Sequence, residues 1–176
     1  MDDATTFDLL EALDGRSYPE EIVEVYLDEG VAHEIEIADE ALRVLSGKGD
    51  YDSYQSLEEK RNALAQKMKS SRVAFTIRGT SREDKIAMNE AFVERCKDEK
   101  KLPENKRGEE FAVMTWCEHI VGIRSPRDEE IPVTEDVIRK FRLQAPDASV
   151  ARIEKGIKRI NTVSEGFDIA VNSPDF

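Results

Sequence analysis

Only two stretches of this chain alternate apolar and polar side chains with a period of two. In the first, Val23, Val25 and Leu27 alternate with Glu24, Tyr26 and Asp28. In the second, Val73, Phe75 and Ile77 alternate with Ala74, Thr76 and Arg78. This pattern marks a strand with one buried face. Elsewhere the apolar positions recur mostly at spacings of three and four, the helical repeat. Two strands cannot build a doubly wound sheet. The chain is therefore expected to be mainly α with a small β element, an α+β fold. A two-stranded sheet or hairpin near residues 21–28 and 72–78 would pack with helices, and the C-terminal half would be all helical.

The helices follow from their stripes. Phe7, Leu9, Leu10 and Leu13 suggest a short lead-in helix, broken by Gly15 and Pro19. Val31, Ile35, Ala38, Leu42 and Leu45 form a narrow stripe on an acidic helix. After a loop over 46–54, a second helix is expected from about Ser56 to Lys69, with Leu57, Leu64, Ala65 and Met68 inward. Gly79 permits a sharp exit from the second strand. Thr80 with Glu83, or Ser81 with Asp84, then has the spacing of a capping box. The helix that follows should run to about Lys100 on an apolar face of Met88, Ala91, Phe92 and Cys96. Residues 109–123 read as the most apolar helix, central to the core. Thr134 can cap a short helix, and Pro146 suits the first turn of a last one, with Val150, Ile153, Ile157 and Ile160 inward. After Asn161 the periodicity fades into a tail or short extended arm. The expected division is an acidic α/β part over 1–102, a helical part over 103–162 sharing or adjoining the same core, and a tail over 163–176.

Charge narrows the partners. Residues 1–50 hold 15 Asp and Glu against 3 Lys and Arg, a net of −12, while residues 51–176 balance at 23 of each. Phosphate contacts need Lys and Arg, so the N-terminal part is not expected to meet nucleic acid. A basic protein partner, or a face that resists self-association, suits it better. Basic residues at Lys97, Lys100, Lys101, Lys106 and Arg107 are interleaved with acids and lack a recognition-helix signature. No apolar run approaches the roughly 20 residues of a membrane span. The acidic N-terminus lacks the pattern of a secretory signal. Cys96 and Cys117 lie apart without a CxxC, as reduced, part-buried thiols would.

The order strand, glycine, charged helix around Gly79 invites comparison with a phosphate-binding loop. That loop needs several glycines and a Lys followed by Ser or Thr. Here Gly79 stands alone and Lys85 is followed by Ile86. His33 has no second metal ligand on its helical face. Cys117 and His119 are two residues apart, which turns them to different faces of a helix. Asp50 and Asp52 start like a calcium loop, but Tyr54 follows where a ligand and then glycine are required. The acids Asp128, Glu129 and Glu130 read as a solvated loop. No enzyme is expected, with no catalytic, cofactor-binding or metal-binding residue and no cofactor. The partner-binding surface is left open.

One likeness remains. Ser71 to Gly79 reads S-x-x-x-F-x-I-R-G. It lies between an acidic lead-in with a charged helical pair and a late helix, "APDASVARIEKGIKRIN", ahead of a terminal "SPDF". Over roughly residues 7–176 this resembles the tail assembly chaperones of long-tailed bacteriophages, especially those of actinobacteria. The resemblance implies a non-enzymatic role in the host cytoplasm: binding the tape-measure protein and keeping it soluble while the tail tube polymerises. It also implies a longer form of the protein made by frameshifting, with that form and the tail tube protein as further partners. A homo-oligomer is left open. The alternative is a structural virion protein, such as a head–tail connector or minor tail component, and a small regulatory module acting on a host protein is a third reading.

Overall fold

The computed structural model describes residues 17–47 and 50–171, with backbone alone for 163–171. The expected helix within residues 7–13 and the terminal 173–176 lie outside them. Strand β1 (Glu20–Tyr26) leads into helices α1 (Glu29–Ser46) and α2 (Tyr51–Lys69), and the chain returns through β2 (Arg72–Arg78). Helix α3 (Arg82–Cys96), a 3-10 turn at Glu104–Lys106 and helix α4 (Arg107–His119) follow. Strands β3 (Ile120–Arg124) and β4 (Glu130–Ile131) come next, then helices α5 (Glu135–Gln144) and α6 (Asp147–Val171). The protein is mainly helical with one small antiparallel sheet, in the order β1-β2-β3-β4.

The sheet is larger than two strands, and the C-terminal half is not all helical. The apolar stretch expected as one helix over 109–123 stops at His119 and becomes β3. Ile120, Val121 and Ile123 are β-branched, which favours an extended chain. Their pairing is irregular: Ile77 faces Ile120, but Thr76 faces Gly122, so Val121 is inserted as a bulge. The bulge lets Ile120 and Ile123, three positions apart, both reach the core. Strand β4 lies in what reads as a loop, after a turn in which Asp128 takes a left-handed φ of 63°.

Other boundaries move for local reasons. Asp50 caps α2 by accepting from the Ser53 amide at 3.3 Å, so the helix starts at Tyr51, ahead of the expected Ser56. Helix α3 ends at Cys96, short of Lys100. Helix α6 keeps its backbone to Val171, so the stretch after Asn161 is no extended arm as far as that residue. Pro174 is the first proline after Pro146.

Helices α4, α5 and α6 cover one face of the sheet. Val23, Val25, Val73, Phe75 and Ile77 meet Val113, Trp116, Ile138, Ile153 and Ile157 in a single core. Both the 1–102 and 103–162 parts therefore contribute to it. Helix α6 lies closest, because Gly156 has no side chain: a Cβ there would fall 2.8 Å from Val23 Cγ2 and 3.0 Å from Ile77 Cδ1.

Two arginine–carboxylate networks hold the helical layer. Glu110 accepts from Arg95 at 2.6 Å and Arg139 at 2.8 Å, while Arg95 also holds Glu135 in a two-bonded pair of 2.6 and 3.0 Å. These tie α3, α4 and α5. Burial alone would raise the Glu110 pKa. The bonds from Arg139 and Arg95 outweigh it and hold the carboxyl below its usual range. Arg142 grips Glu109 and Glu154 and lies 4.8 Å from the centre of the Trp116 ring, which joins α4, α5 and α6.

Helices α1 and α2 pack chiefly on each other. Val31 and Ala38 are the buried residues of α1, and α2 has none. Leu57, Leu64, Ala65 and Met68 are half-buried. Arg61 fastens the pair through Asp39 at 3.0 Å. This helical pair stands where a tight turn would usually join two neighbouring strands.

Candidate functional site: an apolar groove beside α5

Helix α5 is ten residues long and is followed within three residues by α6. Where α5 gives way to α6, a groove of about 480 Å³ reaches down to side chains of the core, which are themselves almost fully buried. Val73, Phe75 and Ile123 form its floor, and Val137 and Phe141 form one wall. The Phe141 ring sits edge-on to Phe75 with centroids 4.8 Å apart, which fixes that wall. Leu27, Lys140 and Gln144 are exposed side chains of the lining. A concave apolar surface with a few polar groups around it suits a ligand or partner that brings apolar side chains.

Among the described residues there is no group of three His, Cys, Asp or Glu side chains placed to hold a metal. His33 is exposed and lies 3.8 Å from Glu36 three residues on, so one carboxylate does share its helical face, contrary to the expectation from sequence. Asp50 serves as a helix cap. Cys96 and Cys117 are free and half-buried, and burial raises the Cys117 thiol pKa away from a reactive thiolate. No helix among the described residues is long and apolar enough to cross a membrane.

The junction at Gly79 is closed to phosphate. The Gly79 amide donates to the Pro19 carbonyl at 3.0 Å. The Ser81 amide donates to the Asp84 carboxylate at 2.9 Å, and the Asp84 amide to the Ser81 hydroxyl at 2.9 Å. The capping box thus uses Ser81 and Asp84 rather than Thr80 and Glu83. It engages the Ser81 and Asp84 amides and places a negative charge at the same helix end, which disfavours an anion there.

His119 is buried at the junction of α4 and β3. Its Nδ1 lies 3.0 Å from the Arg78 carbonyl, which can only accept, so Nδ1 carries the proton. Its Nε2 then accepts from Asn161 Nδ2 at 3.3 Å. The ring is a neutral structural link between β2, α4 and α6. Burial pushes its pKa below the ordinary 6.5. The Arg78 carbonyl, which favours the charged ring, does not cancel that effect. The unfolded chain therefore binds a proton near pH 6.5 while the folded one does not, so stability falls as pH drops below that value. Urea midpoints should decline from pH 7.5 to 5.5 in the wild type, and more shallowly in His119→Gln. Equal slopes would remove this role. Glu110 and Glu135, whose pKa values are lowered, lose their contribution only in more acid solution.

No protein-family model, curated protein or solved structure matches the chain.

Proposed function

We propose that this protein is a non-enzymatic assembly chaperone of a long-tailed bacteriophage, which binds apolar helical segments of the tape-measure protein and keeps them soluble in the host cytoplasm. The apolar groove beside α5 carries this reading. Its floor and walls are mostly hydrophobic, the kind of surface that receives apolar side chains of a helical client. The S-x-x-x-F-x-I-R-G segment supports it from the sequence side, since Val73 and Phe75 of that segment form part of the floor. The acidic surplus of residues 1–50 would keep loaded complexes apart.

Co-expression with the tape-measure protein of the same phage genome tests the proposal. The soluble fraction of that client is expected to rise severalfold, and a complex should elute from a sizing column. A Leu27→Asp, Lys140→Glu variant alters exposed groove residues without opening the core, so it should fold normally and lose most of the effect. A client equally soluble without this chain would end the proposal. Finding the chain at fixed stoichiometry in purified particles would favour the virion component instead.

A further inference from the structure

Among the described residues, β1 is an outer strand of the sheet, with no strand paired along its second edge. Its hydrogen bonds to β2 follow from the register. Leu27 N–H bonds to the Ser71 carbonyl at 3.2 Å, and Gly79 N–H bonds to the Pro19 carbonyl at 3.0 Å. Residues 19 and 27 of the first strand region therefore face β2 with their backbone groups. With the register between them unbroken, so do Glu21, Val23 and Val25. Glu20, Ile22, Glu24 and Tyr26 must then turn their N–H and C=O groups outward. Tyr26 supports this independently, since its carbonyl accepts from the Ser149 hydroxyl of α6 at 2.9 Å. Among the described residues, the outward groups of Glu20, Ile22 and Glu24 have no such partner.

The flank of this edge is basic. Arg152, Lys155 and Arg159 recur along α6 at spacings of three and four, and they line a groove of about 400 Å³ along β1. Arg159 is paired with Glu21, but Arg152 and Lys155 hold no ion pair among the described residues. Ile22 sits in the middle of the edge, 66% exposed. An exposed edge strand with an uncovered isoleucine is a ready template for another strand.

We infer that the β1 edge binds an extended segment of a partner protein by strand addition, and that the segment alternates acidic with apolar side chains. The alternation follows from geometry. Successive side chains of an added strand point to opposite faces. Those on the α6 side meet Arg152 and Lys155, so acids fit there. Those on the other side lie beside the exposed Ile22, where an apolar residue fits; Glu24 there is already paired with Arg72 at 2.8 Å, so the preference on this face rests on Ile22. The same rule argues against a second copy of β1. Antiparallel pairing centred on Ile22 would set Glu20 opposite Glu24 of the other copy, at both ends. This surface is separate from the groove beside α5, and the inference does not depend on what fills that groove.

A fluorescein-labelled peptide, acetyl-Glu-Val-Glu-Val-Glu-Val-Glu, is the probe, read by anisotropy against the full chain. Saturable binding is expected, weakening as salt rises. The Lys-Val counterpart should bind at least tenfold more weakly. Arg152→Glu with Lys155→Glu should reduce binding of the acidic peptide about tenfold. Ile22→Pro removes an outward donor without taking a bond from β2, so it should keep the fold and also weaken binding. Absence of binding up to millimolar peptide, equal binding of the Lys-Val peptide, or indifference to both variants would each overturn the inference.

Discussion

Gly156→Val is expected to lower the stability of this protein by about 3 kcal/mol, the upper range for forcing atoms into a packed core. Even Gly156→Ala should cost about 1 kcal/mol, although alanine is the better helix former by about that amount. The reason is what the new atoms would meet. A Cβ at this site would fall 2.8 Å from Val23 Cγ2 and 3.0 Å from Ile77 Cδ1. Val23 is β-branched and sits on a strand pinned to β2, so it cannot easily rotate away. Gly108 is the matched control. It lies in α4 and a Cβ there meets nothing within 4 Å. Gly108→Ala should therefore stabilise by up to about 1 kcal/mol. The same substitution is expected to change sign between the two sites, read as shifts in urea midpoint at constant slope. If both glycine-to-alanine variants are stabilised, α6 does not seat against the sheet as described.

Trp116→Ala should be costlier still, by about 3–5 kcal/mol, the usual range for removing a large buried aromatic. Trp116 is 2% exposed and holds together several parts of the fold. It borders Phe141, at 6.1 Å between ring centres, and carries the Arg142 guanidinium above its ring at 4.8 Å. Losing the ring would leave a cavity and would loosen the arginine that ties Glu109 to Glu154. A cycle of Trp116→Phe and Arg142→Ala separates the two effects, and a coupling of about 0.5–2 kcal/mol is expected for the cation over the ring. A loss below about 1 kcal/mol in Trp116→Ala would contradict its central place in the core.

The legible parts of the sequence were those with an uninterrupted period. Strands β1 and β2 show alternation because each buries every second residue, Val23 and Val25 in β1 and Val73, Phe75 and Ile77 in β2. The stripe of α1 and the inward residues of α6 are equally regular. Strand β3 hid itself because the bulge at Val121 spaces its two core residues by three, which reads as a helical step. Strand β4 is too short, at two residues, to show any period. The groove beside α5 was hidden for another reason. Val73 and Phe75 read as the buried face of a strand and Phe141 falls in a short helix with no inward residues assigned, and only the packing of α5 and α6 on the sheet brings them to one groove. The free β1 edge likewise depends on strand order, which local pattern does not specify.

The helical pair inserted between β1 and β2 has a consequence for how the chain finds its fold. Tyr26 and Arg72 are register partners with 45 residues between them. Compared with a four-residue turn, closing such a loop costs about 2 kcal/mol more in chain entropy, at about 0.6 kcal/mol per doubling of length. An antiparallel pair of helices, 18 and 19 residues long, brings the chain back to where it left, and it does so through contacts close in sequence. If that pair forms early, the two strands are delivered side by side and the long closure is already made. Weakening it at a site far from the sheet, such as Arg61→Ala, should then slow folding more than it speeds unfolding.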